Sequence, residues 1–268
     1  MEQYPCQHCA TEAPRGAAGT VCLRSGGVRG VLDADMTPHL HSPALLLDAS
    51  TPNIHAGILS EGTWLALERA RGDALALVPS MLADVLKSAG LKVAQLRGLI
   101  HCEGPGSLLG LRVAAMSIET WRAVPGMESV PLFVYRSLPT MATILRLRGT
   151  AGDFHIATPF RRGSWNVCGA TSDANAVLDD EELRALLGPL YIIPQRHIDQ
   201  APPGAQTLEY DLEELPRAIA TNPDLLRAAD NAEAFSPRPS EYRLWHGDRH
   251  RAAAQANPHG VPPEPLSP

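Results

Sequence analysis

Two α/β lobes facing a cleft are predicted by three features of the chain. Three short apolar runs open the regular region as a meander, a strand–helix–strand–helix succession follows, and past residue 149 the scheme restarts as a partial repeat. In the meander, Ala44-Leu45-Leu46-Leu47 ends at Asp48. The runs 54–59 and 63–68 read as strands joined by the turn Ser60-Glu61-Gly62. From Asp73 to Ala89 the residues Leu75, Val78, Met81, Leu82, Val85 and Leu86 recur at helical spacing, with Gly90 as a C-terminal stop. The stretch 97–102 is strand-like, Gly104-Pro105-Gly106-Ser107 is a tight loop, and Leu109 to Val124 reads as a helix stopped by Pro125-Gly126. A strand over 130–134 and a helix to Arg148 complete the first lobe.

The second lobe begins after Gly149-Thr150-Ala151-Gly152 with a hairpin, 154–158 and 165–170, around Arg161-Arg162-Gly163. A helix over 179–187 with acids in its first turn, a short strand at 191–193, and a largely helical 211–229 interrupted by Pro216 and Pro223 follow. The division expected is therefore an extension over 1–42, lobes over 43–148 and 149–250, and a Pro-rich tail over 251–268. Neither end segment has the apolar period needed to offset chain entropy, so both are expected to be disordered.

With 268 residues, 44% of them hydrophobic, the chain can bury a real core. Its 23 basic and 29 acidic residues leave a net charge of −6, so no global positive field gathers nucleic acid. Lys87 and Lys92 are the only lysines, and neither stands in a Gly-Lys-Ser/Thr loop, which excludes P-loop chemistry. Five scattered cysteines, Cys6, Cys9, Cys22, Cys102 and Cys168, do not form a disulfide framework, and Cys6 with Cys9 lacks a second zinc pair. Without a leader or a membrane-length apolar run, the expected location is the cytoplasm, with no membrane partner.

The most specific local feature is Cys102-Glu103-Gly104-Pro105-Gly106-Ser107-Leu108-Leu109-Gly110-Leu111-Arg112: a strand end, a glycine-bracketed turn and a helix start. Glycines let the backbone approach a neighbour closely, Ser107 can cap the helix, and free N–H groups at a helix start attract anions. Taken alone, the loop reads either as a βα turn that needs glycine for its geometry or as an anion site, for which Gly104, Gly106 and Ser107, with Asp48 and Ser50 on the opening turn, are the candidate anion or nucleotide contacts.

This loop resembles the Gly-Pro-Gly-Ser-Phe-Thr-Gly-x-Arg signature of the TsaB family, also called YeaZ. The likeness extends to Leu45-Leu46-Leu47-Asp48-Ala49-Ser50-Thr51, to Pro131-Leu132-Phe133-Val134-Tyr135-Arg136-Ser137-Leu138, to Arg161-Arg162-Gly163 and to Pro239-Ser240-Glu241-Tyr242-Arg243. Leu108-Leu109 replaces Phe-Thr, Gly72-Asp73-Ala74 replaces the His-Ser-Glu that opens the family's first long helix, and Pro159-Phe160 stands where an aspartate is expected, which marks a divergent member. The resemblance implies a two-lobed actin-like ATPase (ASKHA, ribonuclease H-like) fold. It also implies a non-catalytic subunit of the machinery that makes threonylcarbamoyladenosine beside the anticodon of tRNA. The implied partners are a TsaD-type catalytic subunit and a TsaE-type ATPase, with tRNA met indirectly and a homodimer left open. No cofactor belongs to the chain itself, and ATP enters only at the level of the complex.

The resemblance places the partner contact on the helices 73–89 and 109–124, at Leu75, Val78, Leu109, Val113, Met116 and Val124. The residues support this independently. Leu111, Ala114, Ala115, Ile118 and Trp121 form one apolar stripe, while Leu109, Val113, Met116 and Val124 form another, so that either a second body covers the helix or the lobe's own elements cover both stripes.

The alternative reading is a small-molecule kinase of the same superfamily, in which glycine-bearing hairpins bring backbone N–H groups onto ATP. Against it, the turn Asp48-Ala49-Ser50-Thr51-Pro52 has no glycine, and the Gly26-Gly27 pair lies in the extension. Asp48 could orient a metal-bound water, or instead cap its own turn. Metal chemistry lacks a ligand pair: His55 and His101 are isolated, and His246 with His250 lies in an Arg-rich polar stretch, which counts against a metallopeptidase. Ser107 does not stand in a Gly-x-Ser-x-Gly elbow. No catalytic residue is assigned.

Overall fold

The computed structural model describes residues 40–170, 174–195 and 201–235. The Cys6–Cys9 pair, the 239–243 segment, the His246–His250 pair and most of the two expected tails lie outside the described residues.

The meander forms as its pattern predicts: β1 (Ala44–Asp48), β2 (Asn53–Ser60) and β3 (Thr63–Arg71) pair antiparallel in sequence order. Helix α1 (Ala74–Ser88) is capped by the Asp73 side chain, which accepts from the Leu75 N–H. Then follow β4 (Gly98–Gly104), α2 (Leu108–Arg122), β5 (Leu132–Arg136) and α3 (Ser137–Leu147). Strands β4 and β5 add parallel beside β1, a pairing that needs the helical crossover between them.

The second sheet starts with the hairpin β6 (His155–Arg161) and β7 (Ser164–Gly169), extended by β8 (Ala176–Asp179). Helix α4 covers only Asp180–Arg184, shorter than the expected 179–187; Gly188, at φ 94°, and Pro189 turn the chain into β9 (Leu190–Ile192). Strand β10 (Gln206–Thr207) closes that sheet in the order β10-β9-β6-β7-β8. The helical reading of 211–229 needs correction. Only α5 (Leu215–Thr221) is a regular helix. After Pro223 and a short 3-10 turn, β11 (Arg227–Ala229) pairs antiparallel with β5. The first sheet is thus β11-β5-β4-β1-β2-β3, and residues 227–229 bring the chain back to the first lobe.

Central strand β1 is buried throughout, and its side chains alternate between two cores, as a pleated strand requires. Leu45 and Leu47 meet Val78, Leu82 and Val85 of α1 and Ala114, Ala115 and Ile118 of α2. Leu46 faces the other way, into a core shared by Leu138, Met141 and Leu145 of α3, Leu215 and Ala218 of α5, and Ile156 and Cys168 of the second sheet. Helix α3 is therefore the common wall of the two lobes.

Helix α1 offers a direct test of this layering, because the same substitution falls on opposite faces. Leu82→Ala, in the core, is expected to cost about 2–5 kcal/mol in urea unfolding. Leu75→Ala, at 63% exposure, should stay within about 0.5 kcal/mol.

Candidate functional site

Asp48 ends β1 with no exposed surface. Its Oδ1 accepts from the Ser50 N–H at 2.7 Å, and its Oδ2 accepts from the hydroxyls of Tyr135 (2.5 Å) and Tyr210 (2.6 Å). The aspartate does cap its own turn, and the two tyrosines occupy its other oxygen away from the cleft, which none of the three residues lines. Burial first, and the Asp48 carboxylate second, push both phenols well above their ordinary range, so they remain donors. Burial also raises the Cys102 thiol and lowers the His55 and His101 imidazoles. His101 keeps one polar partner, its Nε2 lying 3.3 Å from the Glu233 carbonyl.

Around this carboxylate the glycine loop is pressed onto the β1–β2 turn. The Ser50 carbonyl accepts from the Ser107 N–H at 2.7 Å and from Gln195 Nε2, arriving from the second lobe, at 3.1 Å. A Cβ on Gly106 would collide with the Ser50 carbonyl, and one on Gly110 with that of Ala49, which is why glycine stands at both positions. Ser107 caps α2 through the Gly110 N–H.

The candidate anion contacts separate accordingly. Asp48, Ser50 and Gly104 are buried and none of them lines the cleft, which corrects their assignment as ligand contacts. Gly106 and Ser107 alone among the five line the interlobe cleft of about 990 Å³. Opposite them stand Phe160, Arg161, Arg162 and Trp165 of the β6–β7 hairpin, with Phe235 also on the wall. The kinase alternative would place ATP in this cleft. Here the residues do not fit that use: the aspartate cannot reach a metal-bound water, and the loop is closed against a turn that lacks glycine. Among the described residues no three His, Cys, Asp or Glu side chains converge as a metal site.

The second candidate site is the outer face of α1 and α2. Leu109 is 58% exposed, Met116 71% and Val124 42%, while Val113 is half-buried against the core. Leu111, Ala114, Ala115 and Ile118 are buried, so the two stripes of α2 divide into one covered and one bare. Val78 is corrected: it is fully buried under β1 and β2 and belongs to no surface.

Sequence reasoning missed the lobe-spanning Gln195 and a strap over 230–235. The strap is tied down by the Ala232 N–H to Glu119 Oε1 (2.6 Å) and the Phe235 N–H to the Glu103 carbonyl (2.6 Å). The buried Glu103 carboxylate also holds Arg136 and Arg227, and the Arg136 guanidinium lies 3.8 Å over the Phe235 ring. No local signal marks these residues, since each depends on partners far away in sequence.

No family model and no curated protein matches the chain. Among solved structures, YeaZ from Pseudomonas aeruginosa superposes with a TM-score of 0.53 at 18% identity, over 72% of this chain and 98% of that one. The chain has the YeaZ fold. An uncharacterized protein with similarity to peptidase YEAZ, also from Pseudomonas aeruginosa, gives a TM-score of 0.54 at 20% identity, over 73% and 99% of the two chains. The resemblance in the glycine loop and the opening strand is thus matched by the backbone of both lobes. Among the described residues, no helix is long and apolar enough to cross a membrane.

Tyr210→Phe, which removes one charge-assisted donor from a buried carboxylate, should cost about 1.5–3 kcal/mol of stability in urea unfolding. The two histidines predict an acid limb. Their folded pKa values lie below the unfolded value of about 6.5, so the unfolded state binds more protons in that window and stability falls as pH drops below about 6.5. Urea midpoints measured from pH 7.5 downward should show this slope, and His101→Gln should reduce it.

Proposed function

We propose that the chain is a non-catalytic partner subunit of the machinery that makes threonylcarbamoyladenosine in tRNA, pairing with a TsaD-type catalytic subunit through the outer face of α1 and α2. The observation that carries this reading is the exposure of Leu75 on α1, of Leu109 and Met116 on α2 and of Val124 just past its end, on two helices that pack against each other. A monomer gains nothing from holding such residues in water, whereas a covering helix would remove them from it at about 25 cal/mol per Å² of apolar surface. The YeaZ fold and the glycine-loop resemblance support the choice of a TsaD-type partner. The buried Asp48 and the closed loop are consistent with chemistry residing in that partner. ATP and a TsaE-type ATPase then act at the level of the complex, tRNA is met through the partner, and the setting is cytoplasmic.

Met116→Glu tests the surface: it should leave a folded protein with an unchanged thermal midpoint yet abolish copurification with the TsaD-type subunit encoded in the same genome. Unfolding of the variant, or retained copurification, would sink the proposal. The isolated chain should hydrolyse ATP at background rate, and turnover abolished by Asp48→Ala would favour the kinase alternative.

A further inference from the structure

The bare face of α1 and α2 does not end at the helices. Leu109 belongs both to that face and to the wall of the interlobe cleft, and Ala74, which lines the cleft, precedes the exposed Leu75 by one residue. No element separates the two surfaces at this rim. Across the cleft, the tip of the β6–β7 hairpin carries Arg161 and Arg162, both exposed and neither with an acidic partner among the described residues. The two acids near them are occupied: Asp180 Oδ1 accepts from the Trp165 indole at 2.7 Å, and Asp73 Oδ1 caps α1.

We infer that the cleft is the second half of the partner surface, and that it takes an extended segment of the partner carrying an acidic side chain toward Arg161 and Arg162. The inference rests on the partner-subunit reading above. The floor of the cleft is a chain of mutually satisfied groups. Ser107 N–H and Gln195 Nε2 both donate to the Ser50 carbonyl, and Gln195 Nε2 also reaches Thr158 Oγ1 at 3.3 Å. A ligand therefore gains little from the floor. On the rim, Arg161 Nε donates to Ser164 Oγ at 3.4 Å, and the two guanidiniums, without an acidic partner among the described residues, offer forked donors for a carboxylate. Phe160, Trp165 and Phe235 supply stiff apolar walls that a peptide can cover at little entropic cost. A segment entering from a partner seated on Leu109 crosses this rim directly, which a free small molecule has no need to do.

The test uses the full chain and the TsaD-type subunit, with affinity measured by titration calorimetry at low and at high salt. Arg161→Glu combined with Arg162→Glu should weaken binding about 10–100-fold and flatten its salt dependence, with the thermal midpoint of the free chain unchanged. The Arg161→Lys, Arg162→Lys pair should retain the salt dependence and lose less affinity. If the glutamate pair binds like the parent while Met116→Glu does not bind at all, the cleft is empty in the complex; this inference falls and the face reading stands. If the parent chain itself forms no complex, both readings fall. Protection of the free chain by inorganic phosphate, lost in the glutamate pair, would overturn the inference in favour of a small-anion site.

Discussion

A carboxylate with no exposed surface at the centre of a sheet is costly unless donors replace the lost water, and at Asp48 three converge. They come from three places: the Ser50 N–H from the same turn, Tyr135 from β5, and Tyr210 from the segment that leads out of the second sheet into α5. The charge therefore does more than close a turn. It fixes the end of β1 against β5 and anchors the return crossover between the lobes to the first sheet. Ser137, which opens α3, donates to the Pro105 carbonyl at 2.6 Å, so the glycine loop and the helix shared by both lobes are set by the same corner. Removing any one donor leaves a buried charge short of a partner, which is why the corner constrains everything around it.

The same corner decides what Asp48 can do chemically. An aspartate facing the cleft could hold a metal-bound water; one enclosed by two phenols cannot, and burial together with its own charge keeps those phenols protonated. The contact of Gly106 and Gly110 with the carbonyls of Ser50 and Ala49 takes up the space between loop and turn. The interaction that stabilises the fold is thus the one that keeps Asp48 out of the cleft.

How much of this the sequence carried depends on the range of the forces involved. The meander, α1, α2 and the β6–β7 hairpin were legible because apolar period, caps and turn residues are local. The division of α2 into two stripes was legible for the same reason, and the buried and bare stripes match it. Arg227–Ala229 was not: after Pro223 a helical composition is overruled by pairing with β5, about 90 residues away. Val78 shared its helical spacing with the core residues Met81, Leu82 and Val85, and the sequence could not say which positions on that side would be roofed by β2. Asp48 showed its turn-capping role but not its tyrosines, and Gln195, whose two partners lie in different lobes, left no mark at all.

The bare face and the cleft share a physical origin. On its inner side α2 presents Ala114 and Ala115, small enough for the helix to sit close to the sheet and to α1. Close packing of that kind spends the small side chains inward and leaves the long ones, Leu109 and Met116, pointing away from the lobe. The N-terminal turns of both helices then project past the strand ends, because α1 begins at Ala74 just beyond β3 and α2 at Leu108 just beyond the glycine loop. Those projecting turns are one wall of the cleft. Whatever covers the outer face must therefore touch the residues that border the cleft, and a body resting on Leu109 cannot be indifferent to how the hairpin of the second lobe stands opposite. The relative setting of the lobes, tied at the floor by the side chain of Gln195, is where docking on one surface would be felt at the other.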